Sequence, residues 1–154
     1  ALFKADDKQK TSYREKIGIP LNKKVILYAP TFREYARDKN LNCVLKPPID
    51  FKSWKEVLGD EYIILIRAHY EVSRILSSDI DNDFVYDVSE YPVLNELMIA
   101  SDMLISDYSS IMFDYSILNR PIFLYTYDIT KSITVIAIAV KSGANTPAFR
   151  KQFL

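Results

Sequence analysis

Met103-Leu104-Ile105-Ser106-Asp107-Tyr108-Ser109-Ser110-Ile111-Met112-Phe113-Asp114-Tyr115 decides how this chain is read. Its first half is a short apolar run ending in Ser106-Asp107, the form expected of a buried strand. Two hydroxyl residues follow. From Ile111 onward apolar positions recur at helical spacing, Tyr115 and Leu118 on one stripe, with Phe113 and Ile117 widening it. A strand that hands over to a helix at polar residues is a natural anion site. The first N–H groups of the helix lack intrahelical partners, its dipole is positive at that end, and Ser109 and Ser110 add hydroxyl donors.

Working outward, the same pattern recurs. Val25–Ala29 and Tyr62–Ile66 are continuous apolar runs, as in strands buried on both faces. Thr31 and Arg33 follow the first run, and Arg67 and His69 follow the second. Phe84–Asp87 is a weaker strand candidate and Ile122–Tyr125 a further one. Between them, Phe51, Trp54, Val57 and Leu58 have helical spacing that Gly59 closes. Pro92 suits the first turn of a helix whose apolar face is Leu94, Leu97, Met98 and Ile99, ended by Ser101-Asp102. A short helix over Thr11–Lys16 is closed by Gly18 and Pro20.

This βαβαβ order predicts an α/β fold, a Rossmann-like parallel sheet flanked by helices. Ligands on such sheets bind at the carboxyl ends of the strands, which gathers Arg33, His69, Asp107 and Ser109 at one edge. The expected organisation is a lead-in segment over 1–24, an α/β domain over 25–128 and a carboxyl-terminal segment over 129–154 with no assignable chemistry. Tyr35–Asp50 reads as an irregular loop carrying Pro47-Pro48, Glu71–Leu76 as a helical turn, and Ser77–Asp83 as an acidic loop.

Composition narrows the function classes. The 154 residues suit one core, and 49% hydrophobic with 26% charged residues is the make-up of an ordered globular chain. Twenty basic and twenty acidic residues cancel, so no global field recruits nucleic acid, and anion binding must be local. Three glycines and the lack of a GxGxxG or Walker pattern argue against a glycine-rich phosphate loop. Cys43, the single cysteine, cannot form an internal disulfide and reads as a small packed residue. No apolar run reaches the roughly 18 residues that span a bilayer. Because the chain starts without Met on an apolar and basic stretch, it is expected to be part of a larger polypeptide.

Each candidate residue has a structural and a chemical reading. His69, the only histidine, is either a hydrogen-bonding structural residue or a phosphate donor and general acid or base. Arg33 and Arg67 carry planar forks of donors suited to phosphate, against surface pairing with Glu34 or Glu71. Asp107 could cap the following helix, bind a hydroxyl or divalent cation, or accept a phosphoryl group. Asp114 is expected to pack or pair within its helix. One His and one Cys give no transition-metal site, and no cofactor is assigned beyond a divalent cation as an option.

Tyr28-Ala29-Pro30-Thr31-Phe32-Arg33, Arg67-Ala68-His69, Asn95-Glu96-Leu97 with Ala100-Ser101-Asp102, and Ile105–Tyr115 together carry a resemblance. In order and spacing they resemble the CDP-glycerol glycerophosphotransferases of teichoic acid synthesis, over about residues 24–128. The resemblance implies a GT-B architecture with this chain as its carboxyl-terminal, nucleotide-binding half. It further implies transfer of glycerol phosphate from CDP-glycerol to a lipid-linked polyol-phosphate acceptor, with release of CMP, at the cytoplasmic face of the membrane.

The acceptor side would come from an amino-terminal domain, so the chain is expected to be incomplete as an enzyme, and the full-length protein to associate peripherally with the membrane. By motif position His69 matches a histidine of catalysis or donor binding. Thr31, Arg33, Asp107, Ser109 and Ser110 match positions lining the donor phosphates, beside Arg67 with its strand-end placement, and Glu90 to Asn95 lie where ribose or base contacts are expected. Two alternatives stand beside this reading: a GT-B domain using CDP-ribitol or a nucleotide sugar, and a receiver-like signalling module phosphorylated on Asp107.

Overall fold

Every residue from Val25 to Ala29 is buried, and this run becomes the central strand of the sheet. The computed structural model describes residues 2, 5–31, 49–69, 81 and 83–125. Its elements are α1 (Asp7–Ile17), β1 (Lys24–Ala29), α2 (Phe51–Leu58), β2 (Tyr62–Ile66), β3 (Val85–Asp87), α3 (Leu94–Ala100), β4 (Met103–Ser106), α4 (Ile111–Ser116) and β5 (Ile122–Leu124). The strands form one sheet of order β3-β2-β1-β4-β5, parallel at every pair. The α/β class and the parallel sheet expected from the sequence are both present. Arg33, Cys43, Pro47-Pro48, the turn at 71–76, most of the acidic loop and the segment after Asp128 lie outside the described residues.

Strand alternation divides the core into two layers. Ile26 of β1 is in register with Ile64 of β2 and Met103 of β4, and these side chains join Tyr28, Ile105 and the α2 residues Phe51, Trp54 and Leu58 on one face. Val25, Leu27, Ile63, Leu65 and Leu104 point the other way, onto Leu97 and Met98 of α3 and Ile111, Met112 and Tyr115 of α4. Trp54 meets Tyr28 and Phe51 edge-on, each with ring centroids 6.0 Å apart, so it is a packing residue.

Two expected core positions are not in the core. Val57 is 52% exposed and Phe113 53% exposed. Both helices are short, and each buries a narrow stripe: Phe51, Trp54 and Leu58 on α2, and Ile111, Met112 and Tyr115 on α4. At 100° per residue Phe113 points about 150° away from the α4 stripe, and Val57 about 90° from that of α2.

The amino-terminal helix is longer than Thr11–Lys16. Asp6 accepts a hydrogen bond from the Gln9 N–H at 2.8 Å and so caps α1. Gly18 ends it at φ +80°, its N–H donating to Arg14 O and Glu15 O. Buried Arg14 donates from Nε to Ala100 O at 2.8 Å and from Nη2 to Asp102 at 2.6 Å. Lys10 also pairs with Asp102, which takes the Val25 N–H at 2.7 Å besides. Burial pushes the Asp102 carboxyl up, but the hydrogen bonds from Lys10 and Val25 and the charge of Arg14 prevail, and the net shift is downward.

Across the layer, Arg120 closes α3 by donating from Nη1 to Met98 O, Ile99 O and Ser101 O. The fully buried Tyr115 hydroxyl meets Ser101 Oγ at 3.0 Å, and burial pushes its phenol pKa up.

Candidate functional site

The strand order reverses between β1 and β4. From β1 the chain runs through α2 to β2 on one face, and from β4 it runs through α4 to β5 on the other. With α2 and α4 on opposite faces, the carboxyl ends of β1 and β4 mark the switch point, the position where open α/β sheets bind ligands.

There the two strand ends are tied together twice. Ser106 Oγ donates to Ala29 O at 2.7 Å. Asp107, only 4% exposed, uses Oδ1 to accept from Thr31 N at 2.9 Å, Thr31 Oγ1 at 2.9 Å and Tyr108 N at 2.8 Å. Thr31 and Asp107 were both expected at the donor phosphates, and the structure brings them together as partners of each other. The hydroxyl proton that Thr31 would offer a phosphate goes to Asp107. Asp107 does not cap α4 either. At that helix start Ser109 Oγ accepts from Ile111 N at 3.3 Å, while Ser110 occupies the N-cap position with no side-chain cap bond.

Beyond the end of β2, the segment Arg67-Ala68-His69 is held from the side. Arg67 N donates to Tyr28 O at 2.9 Å, the last ladder bond on that flank. Its side-chain Nη1 donates to Tyr91 O at 2.6 Å and Val88 O at 3.2 Å, with Ser89 O at 3.4 Å. The Ala68 N–H donates to Ser89 Oγ at 3.1 Å. Tyr91 is fixed in turn: its hydroxyl donates to Glu96, which also takes Lys16 Nζ at 2.7 Å. The Lys16 hydrogen bond holds the Glu96 carboxyl below its ordinary range, and burial raises the Tyr91 phenol.

These three strand ends border an open cavity of about 330 Å³, lined by Ala29 and Pro30 after β1, Arg67, Ala68 and His69 after β2, Leu94 of α3, and Ser109, Ser110, Ile111 and Asp114 at α4. Four of the expected site residues therefore converge: Arg67, His69, Ser109 and Ser110. Glu90 and Asn95 are exposed and lie outside the lining, although Asn95 adjoins Leu94. Asp114, expected to pack or pair within its helix, is exposed and lines the cavity. Its spacing was the available signal, since a residue four after Ser110 lies on the same helix face. Leu94 falls within the span expected at the ribose or base, whereas the Ser89 hydroxyl was missed, because its role depends on where the loop before α3 docks. Among the described residues no group of three or more His, Cys, Asp or Glu side chains is gathered to hold a metal ion. No helix there is long and apolar enough to cross a membrane.

A doubly wound parallel sheet with a hydroxyl- and cation-lined crevice at its switch point is a Rossmann-like architecture, of the type that forms one half of a GT-B fold. The chain belongs to the CDP-glycerol:poly(glycerophosphate) glycerophosphotransferase family, whose sequence profile matches residues 1–135. It is 44% identical over 118 residues to a teichoic acid poly(glycerol phosphate) polymerase of Staphylococcus epidermidis, covering 77% of this chain and 16% of that protein. It is 42% identical over 119 residues to a teichoic acid glycerol-phosphate transferase of Staphylococcus aureus, covering 77% of this chain and 30% of that one.

A solved structure of the wall teichoic acid polymerase TagF, a histidine-to-asparagine variant soaked with CDPG, superposes with a TM-score of 0.71 at 41% identity, covering 83% of this chain and 31% of the polymerase. The chain thus spans between about a sixth and a third of the length of these relatives.

Proposed function

We propose that this chain is the donor-binding domain of a transferase that moves glycerol phosphate from CDP-glycerol to the end of a lipid-linked polyol-phosphate polymer, with release of CMP. The convergence of Arg67, His69, Ser109 and Ser110 on one cavity at the switch point carries the reading. Ser109 and Ser110 offer hydroxyl protons to the donor pyrophosphate, and Arg67 lends positive charge at its rim. Thr31 and Asp107 hold the floor beneath them. Arg33 is assigned to the same phosphates, and Glu90 and Asn95 to the ribose or base, on their motif positions.

In the reaction an acceptor hydroxyl attacks the phosphorus that bears glycerol. A new P–O bond forms there, the bond to the bridging oxygen breaks, and the electron pair leaves with CMP. His69 is the group placed to bond a phosphate oxygen or carry a proton in this step. The acceptor and the remaining catalytic groups are assigned to other parts of a larger polypeptide working at the cytoplasmic face of the membrane, since the relatives are far longer than this chain. In-line transfer needs all of these groups held together, so the chain by itself binds donor without turnover.

Calorimetry with CDP-glycerol on the chain, its Ser110→Ala form and its His69→Ala form tests the assignment. Weaker binding in both variants is expected. Unchanged binding in both would remove the assigned site. Competition by CDP-ribitol or a nucleotide sugar at lower concentration than CDP-glycerol would reassign the donor and leave the site in place.

A further inference from the structure

We infer that Ser89 and Arg67 are positioning residues for His69, and that the loop between β3 and α3 sets where the imidazole stands in the cavity. The inference rests on the reading of His69 as the residue that meets the donor phosphates. β2 stops being a strand at Ile66, whose carbonyl takes its last bond from Val88 N at 2.9 Å, while Arg67 N makes the last bond to β1. Past that point no ladder directs the chain, yet His69 lies only two residues further on. The next N–H, that of Ala68, is taken by the Ser89 hydroxyl at 3.1 Å.

Ser89 is itself oriented, because its own N–H donates to Asp87 Oδ1 at 2.9 Å. From the other side Arg67 Nη1 reaches into the same loop and holds the Tyr91 carbonyl at 2.6 Å. Nη1 protons given to loop carbonyls are not available to a phosphate. Arg67 thus acts on the site mainly by fixing the loop against the His69 segment. The chain holds a single histidine, so the imidazole gives one assignable set of nitrogen signals in an NMR spectrum.

The test uses the isotopically labelled chain with Ser89→Ala, Ser89→Thr and Arg67→Lys. Without ligand, Ser89→Ala is expected to speed exchange of the Ala68 amide by about tenfold or more, to shift or broaden the His69 ring signals, and to leave the β1 amides unchanged. Ser89→Thr keeps the hydroxyl and restores both. With CDP-glycerol, Ser89→Ala and Arg67→Lys weaken binding about five- to tenfold and reduce the ligand-induced His69 shift, again with rescue by threonine.

Wild-type ring signals and Ala68 exchange in Ser89→Ala would overturn the inference. If the unaltered chain takes up no CDP-glycerol, the donor assignment fails instead, and the ligand-free spectra still decide whether Ser89 positions His69.

Discussion

Replacing Asp107 tests whether the floor of the crevice is a structural tie. A single carboxylate oxygen accepts three hydrogen bonds, two of them from Thr31 at 2.9 Å and one from the Tyr108 N–H at 2.8 Å, at a residue only 4% exposed. Hydrogen bonds to a charged acceptor contribute about 1.5–3 kcal/mol each against about 0.5–1.5 for a neutral one, and bonds sharing an acceptor do not add fully. Asp107→Asn keeps an acceptor of the same shape, so it is expected to cost about 1–3 kcal/mol. Asp107→Ala strands two backbone N–H groups and a hydroxyl and is expected to cost about 3–5 kcal/mol.

Thr31→Val removes one donor and should cost about 1 kcal/mol, with a coupling to Asp107→Asn of about 0.5–1 kcal/mol in a double-mutant cycle. Urea unfolding followed by the single tryptophan, Trp54, buried against Tyr28, supplies the readout. An Asp107→Asn loss below about 0.3 kcal/mol, or strict additivity with Thr31→Val, would refute the tie.

Asp102 should govern part of the acid limb of stability. Its folded pKa lies below the ordinary 3.8, so the stabilisation is fully present above that value and is lost as pH falls through the folded pKa. A pH series of urea midpoints should show a shallower acid limb in Asp102→Asn than in the wild type, with a loss of about 2–4 kcal/mol at pH 7. Gly18→Ala should lower stability by about 1 kcal/mol in thermal unfolding. A Cβ there meets nothing within 4 Å, so the whole cost is that of φ +80° for an L-residue, and Gly18→Asn should recover part of it.

Much of the scaffold was legible because strands buried on both faces leave continuous apolar runs. Val25–Ala29 and Tyr62–Ile66 fall within a residue of β1 and β2, and Met103–Ser106 is β4 itself. Ser109, Ser110, His69 and Arg67 were legible as strand-end polar residues, since the sheet rule sends such positions to one edge. Val57 and Phe113 misled because short helices bury narrow stripes, and an apolar residue beside the stripe has no sequence mark to exclude it. The amino end of α1 was hidden in a run of charges where Asp6 looks like any other acid.

What the sequence determined by itself is the order of strands and helices, the polar residues that follow each strand, and the family those motifs share. Periodicity and spacing are local properties of a chain, so they survive without coordinates. Only the tertiary structure decided the division of labour at the crevice. Thr31 and Asp107 lie 76 positions apart and satisfy each other. Ser89 takes the Ala68 N–H, and Arg67 gives its Nη1 protons to loop carbonyls. A hydrogen-bonding group is committed or available according to which partner docks beside it, and that depends on how distant segments pack.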